Sequence, residues 1–465
     1  MFLLGIIWRY FILETTPFDG LYGQDPYAYL NFSRSLSLFI SGIELPPFFW
    51  PWGYPIVLAI SESLGANPVT INILFGTLIP GLIFILGKQL DLSFWGALTA
   101  ALVTLTSGQL TLSSLVLMSD IAALFWILLS CIFLLKYLKT KHIVAGIGSS
   151  SAIALAGVTR WLSLIVIIPW GILAWRQCRD LIKISLMAIP VVVLCGIQIW
   201  LSQNDQFPSF GHHFLGNWRI SNFWSSSLSG LEGVTIHRFP NFIFYTKAFS
   251  DSFFISPIFG ILALFGVHHL VKSSKKDVLI LLAFWWLSTY LFLCGLPVQN
   301  PRYCIPLIPV IALVIGFGFD FFSAKAKNIG AALALLILIT LFLNTKTNHG
   351  QIVRMLGVYN QDKEIAQEVY DSIGDGATLY AFGLTLTIQH YYPQIDTHEL
   401  FFESPETMSN LRGGQNYLVM NPEIIDSQWK NTQIGETVGW LKANYQTKIV
   451  ARYGSYSLFK IDGKQ

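Results

Sequence analysis

The sequence predicts a mainly α membrane protein: a polytopic helical bundle of about 11 spans followed by a C-terminal α/β soluble domain. Three observations carry this expectation. Charged residues make up 12% of the 465 residues and apolar types 53%, about half the charge of an ordinary soluble chain. The charges are clumped, so that long uncharged stretches alternate with short hydrophilic patches. From about residue 344 the composition turns to that of a soluble protein. The 15 Trp and 18 Tyr suit a chain with two membrane–water interfaces, where amphipathic rings settle. A net charge of +3 is too small to point to a nucleic-acid partner.

The first segment, Met1 to Leu13, is short for a span and carries Arg9. No small-residue cleavage site follows it, which argues against a secretory signal peptide. A tilted first helix and a chain that begins further upstream both account for its length. Residues 14–67 then form a first outer loop. Within it, Asp25-Pro26 has the form of a helix start, with carboxylate at the N-cap and proline at the first helical position. The helix that follows places Tyr29, Phe32, Leu36 and Ile40 on one face, a pattern for lying along the interface. Residues 54–64 are apolar but too short to span, and read as a surface-lying or re-entrant piece.

A span needs ~20 mostly apolar residues. Ten more are expected near 68–88, 93–113, 119–138, 143–158, 161–175, 181–201, 251–271, 277–296, 303–322 and 328–343. One set of loops between them is short and basic: Gly87 to Gln89, Lys139 to His142, Arg176 to Lys183, Lys272 to Lys276 and Lys325 to Lys327. The positive-inside rule places these in the cytoplasm. The other set faces outward, and includes the turns before Asp120, at Arg160 and at Arg302, the loop 202–250, and everything after about 344. The transmembrane domain is thus 1–343 and the outward-facing soluble domain 344–465. In that domain a helix at Lys363–Ile373 precedes strands at Ala377–Phe382, Thr397–Phe402 and Asn416–Met420. A helical stretch, Ile424–Ala443, leads to two closing strands, Lys448–Arg452 and Ser455–Ile461, around a turn at Gly454. Alternating helix and strand signals favour a small α/β sandwich. Glycines 374, 376 and 383 read as turns, with no phosphate loop or dinucleotide fingerprint.

Ionisable groups within spans cost ~2.5–3.5 kcal/mol at a helix centre, so those that persist are functional candidates. Four fall at outward helix ends: Asp25, Asp120, Arg160 and Arg302. Each has a plainer reading. Asp25 and Asp120 serve as helix caps, with Ser119 competing for the second. Arg160 beside Trp161 reads, from the residues alone, as an interfacial anchor. Arg302 is an anchor or a fork for a phosphate, a geometry Lys cannot match. In the loop 202–250, His212 and His213 are adjacent and make a poor chelate. The cysteines, Cys131, Cys178, Cys195, Cys294 and Cys304, show no zinc spacing and imply no disulfide framework.

Four segments together resemble the bacterial relatives of protein O-mannosyltransferases and the aminoarabinose transferases, with the GT-C membrane fold. They are Gly23-Gln24-Asp25-Pro26-Tyr27-Ala28-Tyr29, Trp50-Pro51-Trp52-Gly53-Tyr54-Pro55, Ser119-Asp120 opening a span, and Asn300-Pro301-Arg302-Tyr303-Cys304-Ile305-Pro306-Leu307-Ile308-Pro309. The Thr159-Arg160 turn also fits. The likeness runs over most of the membrane part and loosely over the soluble region. It implies an inverting transfer of sugar from a polyprenyl-phosphate donor to a lipid, glycan or protein acceptor on the non-cytoplasmic face. It makes Asp25 the catalytic base; in the mechanism that follows from it, Asp120 orients Asp25 or an acceptor group. Arg302, Tyr303, Arg160 and Tyr54 fall on the substrate side. It implies an inner-membrane, multi-pass location with site and soluble domain on the periplasmic face. Where some members carry an acid and a lysine, this chain has Phe49 and Trp50. Where the aminoarabinose transferases carry an arginine three residues beyond the acid, it has Ala28. The resemblance therefore fixes no cofactor; a divalent cation stays open, and the donor sugar is free to differ. Two other classes share the composition: a lipid-carrier flippase or other transporter, and a lipid-linked glycan polymerase. Transporters tend to show internal repeats, and none is visible between the halves.

Overall fold

The computed structural model describes residues 1–464 except 40–44, 46–47, 49, 178–179, 203–215, 231–232, 274, 325–326, 410 and 412–414. Ile40, Phe49, Cys178, His212 and His213 lie outside the described residues.

Helices dominate the first three quarters of the chain. They are α1 (Phe2–Thr15), α2 (Asp25–Phe39), α3 (Gly53–Ser63), α4 (Pro68–Gln89), α5 (Phe94–Leu105), α6 (Gly108–Leu115), α7 (Ser119–Thr140) and α8 (Ile143–Thr159). After a 3-10 turn, Trp161–Val166, come α9 (Ile167–Gln177), α10 (Leu181–Ser202), α11 (Phe259–Lys272) and α12 (Lys276–Cys294). A second 3-10 turn, Pro301–Leu307, opens α13 (Ile308–Ser323), and α14 (Lys327–Ile373) follows. Six described helical segments are long and apolar enough to cross a membrane, and four shorter apolar ones accompany them. Together with α1 this is consistent with the expected count of about eleven, and the chain is an integral membrane protein. At eleven residues, α3 is too short to span.

The basic loops gather at one end of the bundle. Lys139 bonds the Gln89 carbonyl at 2.7 Å, Lys275 that of Asp91 at 2.8 Å, and Gln177 the Asp277 carboxylate at 2.8 Å. Close approach of helices deeper in relies on small residues. A side chain at Gly76 of α4 would sit 2.4 Å from Ser114 Cβ of α6 and 3.1 Å from Arg9 Nη2. Arg9 itself is fully buried, and donates to Ser114 Oγ at 2.6 Å and to the carbonyls of Gly5 and Gly76, each at 3.1 Å.

Several expected elements differ. The span at 93–113 is two helices. Ser107 caps α6 at Leu110 N, and the Thr106 carbonyl left at the break accepts from Asn344 and Asn348 of α14 at 3.3 and 2.9 Å. The helix expected at 251–271 begins only at Phe259. The expected boundary at 343/344 falls inside α14, which runs 47 residues. At 1.5 Å per residue it is about 70 Å long, enough to cross a membrane and continue beyond it without a break.

The C-terminal region carries a five-stranded mixed sheet. Strands β1 (Ser227–Gly230) and β2 (Gly233–Ile236) form a separate hairpin in the loop 202–250. The sheet comprises β3 (Thr378–Ala381), β4 (Asp396–Glu399), β5 (Asn416–Met420), β6 (Tyr445–Tyr453) and β7 (Tyr456–Lys464), in the order β4-β3-β5-β7-β6. Strands β3, β4 and β5 are parallel, and β5-β7-β6 antiparallel. α15 (Thr385–Tyr391) connects β3 to β4, and α16 (Pro422–Ser427) and α17 (Gln433–Asn444) connect β5 to β6. The helix expected at 424–443 is thus two, and the second expected strand turns 3-10 at Leu400. Glycines 374, 376, 383 and 454 all have positive φ, as turns there require.

Candidate active site

Four short starts and ends of helices meet at the end of the bundle away from the basic loops. Asp25 opens α2 and Asp120 lies in the first turn of α7. Arg160 follows the last turn of α8, and Arg302 lies in the 3-10 turn before α13. The structure pairs them: Arg302 Nη2 to Asp25 Oδ2 at 2.9 Å, and Arg160 Nη2 to Asp120 Oδ1 at 3.2 Å. Between the pairs stands Tyr303. The Arg160 guanidinium lies 5.1 Å from its ring centre and that of Arg302 5.8 Å, both within cation–π range. Arg302 also donates to Met118 Sδ at 2.9 Å, and Arg160 to Ser119 Oγ at 3.4 Å.

These contacts bear on the plainer readings. No side chain caps α7, so neither Ser119 nor Asp120 serves that purpose. The Asp25 carboxylate is engaged by Arg302. Arg160 is not an outward anchor; its side chain is 17% exposed and held by Asp120. Asp120 Oδ2 and Arg302 Nε are buried without a hydrogen-bond partner among the described residues, so the cluster retains one acceptor and one donor.

Tyr54 does not stand with the others. It is fully buried, and its hydroxyl donates to Asn72 Oδ1 at 3.0 Å. Asn72 in turn donates to the carbonyls of Val116 and Met118. The Tyr54 ring meets Tyr29 edge-on at 5.0 Å, and Tyr29 bonds Ser119 at 3.2 Å. Tyr54, expected on the substrate side, lies behind the cluster in this structure and props the segment that carries Ser119 and Asp120. Its neighbours explain the rest of the motif. Gly53 packs so near α8 that a Cβ would lie 2.6 Å from the Val158 carbonyl oxygen. Trp52 N is held by Gln198 of α10 at 2.9 Å. Asn72 and Gln198 do not stand out in the sequence as site residues. The signal that would find them is an amide inside an otherwise apolar span.

Two cavities share the wall formed by Ser119-Asp120 and Arg302-Tyr303. The larger, about 340 Å³, is mostly apolar; Ile165, Ile168, Leu164 and Phe292 line it, and Arg160, Tyr303 and Ser119 supply its polar edge. The smaller, about 180 Å³, is lined by Asp120, Arg302, Gln109, Ser113 and Asn300, with Tyr22 and Tyr359.

Asp25 is reached from outside the membrane part as well. Gln24 Nε2 donates to the Gly383 carbonyl at 2.7 Å, and its Oε1 accepts from Leu386 N at 3.1 Å. Gly23 N donates to Asp362 at 2.9 Å, and Tyr22 stacks on Tyr359 at 3.6 Å. Among the described residues, no group of three or more His, Cys, Asp or Glu is arranged so that it could hold a metal ion. The two carboxylates at the site are each paired with an arginine.

No family model matches the sequence, and no curated protein matches it either. Solved structures do. ArnT from Cupriavidus metallidurans bound to undecaprenyl phosphate superposes with a TM-score of 0.64 at 14% identity, over 98% of this chain and 96% of that one. The Archaeoglobus fulgidus oligosaccharyltransferase gives 0.58 at 11% identity, over 100% of this chain and 74% of the other. The arabinofuranosyltransferase AftD from Mycobacteria gives 0.55 at 12%, over 99% of this chain and 40% of that one. The Archaeoglobus enzyme was also solved with Zn and sulfate. All three are GT-C proteins, and the fold of this chain is GT-C.

Proposed function

We propose that this chain is a glycosyltransferase that moves a sugar from a polyprenyl-phosphate carrier to an acceptor hydroxyl, with inversion, on the non-cytoplasmic face of the membrane. The observation that carries this is the meeting of two carboxylate–arginine pairs on one tyrosine at the edge of an apolar cavity. The apolar cavity suits part of a prenyl tail, and Arg160 at its edge suits the phosphate. The GT-C fold, shared with a protein solved with undecaprenyl phosphate, supports the same reading.

In the reaction the acceptor oxygen forms a bond to the anomeric carbon. The bond from that carbon to the phosphate oxygen breaks, and the electron pair leaves with the phosphate. Asp25 takes the hydroxyl proton. Arg160, on the edge of the apolar cavity, stabilises the charge on the departing phosphate, and Arg302, on the other side of Tyr303, adds to the positive field there. Asp120, pinned by Arg160, orients the acceptor or Asp25. The basic loops at the opposite end of the bundle support a cytoplasmic position for that end. On this reading the site and the C-terminal domain of a bacterial protein would face the periplasm from the inner membrane.

The test is transfer by purified protein in lipid nanodiscs, supplied with extracts of lipid-linked sugars from the source cells and read by mass spectrometry of products. Asp25→Asn should lower turnover ~10²–10⁴-fold, the range for loss of a positioned base. Near-normal transfer by this variant removes Asp25 as the base. Net movement of carrier across the membrane without sugar transfer removes the reading itself.

A further inference from the structure

The smaller cavity is not explained by a lipid tail. Its wall sets Asp120, Arg302, Gln109, Ser113 and Asn300 among apolar side chains such as Leu112 and Met355, a larger polar share than in the prenyl-sized groove, and it lies on the far side of Asp120 and Arg302 from that groove. From its chemistry we propose that this chamber is a subsite for one uncharged sugar ring. The proposal rests on the transferase reading and names the substrate class that the reading leaves open.

Size comes first. Cavities for drug-sized ligands run ~300–1,000 Å³, and this one is about 180 Å³. It has room for one small ring and no more. Polar capacity comes second. Asp120 Oδ2 and Arg302 Nε are the buried acceptor and donor without partners among the described residues, and both side chains line the chamber. Buried groups of this kind cost free energy unless a ligand or solvent satisfies them. Hydroxyls, each both donor and acceptor, can satisfy one of each. Gln109 and Ser113 add a neutral pair joined at 2.9 Å, and Tyr359 of α14 contributes an aromatic wall backed by Tyr22.

Charge comes third and sets the class. The acid in the wall is already matched by Arg160, and the arginine by Asp25. The other lining groups are neutral. An ammonium or carboxylate on the sugar would enter a chamber whose charges are already paired, and lose its hydration without gaining a counter-ion. A sugar with hydroxyls alone does not.

The ring can be the donor's own or the acceptor's terminal sugar; the chemistry is the same and the experiment separates them. Full-length protein in nanodiscs is examined by saturation-transfer NMR with methyl mannoside, methyl glucoside and methyl arabinoside, and with glucosamine and glucuronate. Undecaprenyl phosphate binding is measured in parallel on the same samples. The expected result is binding of a neutral glycoside and not of the charged sugars. Gln109→Leu and Ser113→Val should each weaken it about tenfold, the size of one lost buried hydrogen bond, with undecaprenyl phosphate binding unchanged. Undecaprenyl phosphoryl-mannose should displace the glycoside if the chamber holds the donor ring, and leave it bound if it holds the acceptor ring. Preference for a charged sugar, binding indifferent to both variants, or no glycoside binding while undecaprenyl phosphate binds, each overturns the chamber and leaves the transferase reading standing. Absence of undecaprenyl phosphate binding with glycoside binding intact overturns the carrier reading instead.

Discussion

The pairing at the site gives each arginine two tasks, most plainly in the case of Arg302. Its Nη2 holds Asp25 at 2.9 Å while Nη1 reaches Met118 Sδ at 2.9 Å. A planar fork can do both at once and still offer its Nε; an ammonium on a flexible stem cannot. Arg302→Lys should therefore keep the charge and still lose most transfer, by ~10-fold or more, with turnover falling further than donor affinity. Equal activity in the two proteins, measured as initial rates at saturating donor, would mean the charge alone matters. The four charged candidates were legible in the sequence because a charge at the end of an apolar run is conspicuous. Their partners were not. Asp25 and Arg302 are separated by most of the chain, and nothing in spacing says that Asp25 binds Arg302 rather than capping α2. The surroundings of Tyr54 were not legible for a related reason: its motif is local, whereas its burial depends on Asn72 and Tyr29 from other elements.

Among the elements, the contact between α2 and α15 bears most directly on chemistry. Gln24 precedes the catalytic candidate and is held at both ends of its amide by the backbone around Gly383, which has φ +85°. Gln24→Ala should leave the chain folded and in the membrane, and lower turnover several-fold with little change in the donor concentration for half-maximal rate. A change in that concentration alone would assign Gln24 to binding rather than to placing Asp25. Beside it, in the part of α14 beyond the membrane, burial raises the Asp362 carboxyl above its usual range, and the Gly23 N–H bond offsets this only in part. A carboxyl raised in the folded state favours folding while it is protonated. That contribution is present below the ordinary carboxyl range and is lost as pH rises through the shifted value. Asp362→Asn keeps an oxygen for Gly23 and should remove this loss, so that its Tm exceeds wild type more at neutral pH than at acid pH. Parallel Tm profiles of the two proteins would rule the linkage out. The strands of this domain were legible from their alternation. The break at Thr106-Ser107 was not, because it is stabilised by Asn344 and Asn348 from a helix far along the chain.

At the scale of the whole molecule, α7 ties the two ends together. Asp120 lies in its first turn and Lys139 in its last. At 1.5 Å per residue these are about 28 Å apart along the axis, which matches the ~30 Å thickness of a hydrocarbon core. One helix therefore puts the site at one membrane surface and the basic loops at the other, without reference to any other span. The bundle's polarity is legible in the sequence for the same reason, even where helix ends are misjudged. Lys139, Lys141, Arg176 and Lys275 all fall on one side of the count, and a shift of a few residues at a boundary moves none of them across. The soluble domain is placed too, because Gln24 and Gly23 bond it on the site's surface. In intact cells a membrane-impermeant maleimide should label Ser455→Cys and leave Lys139→Cys unlabelled until the membrane is opened, each in a background with the native cysteines replaced. Labelling of both from outside, or of Lys139→Cys alone, would place the site in the cytoplasm or break the bundle's two-ended order. Either result would deny a lipid-linked donor presented on the outer face its route to Asp25.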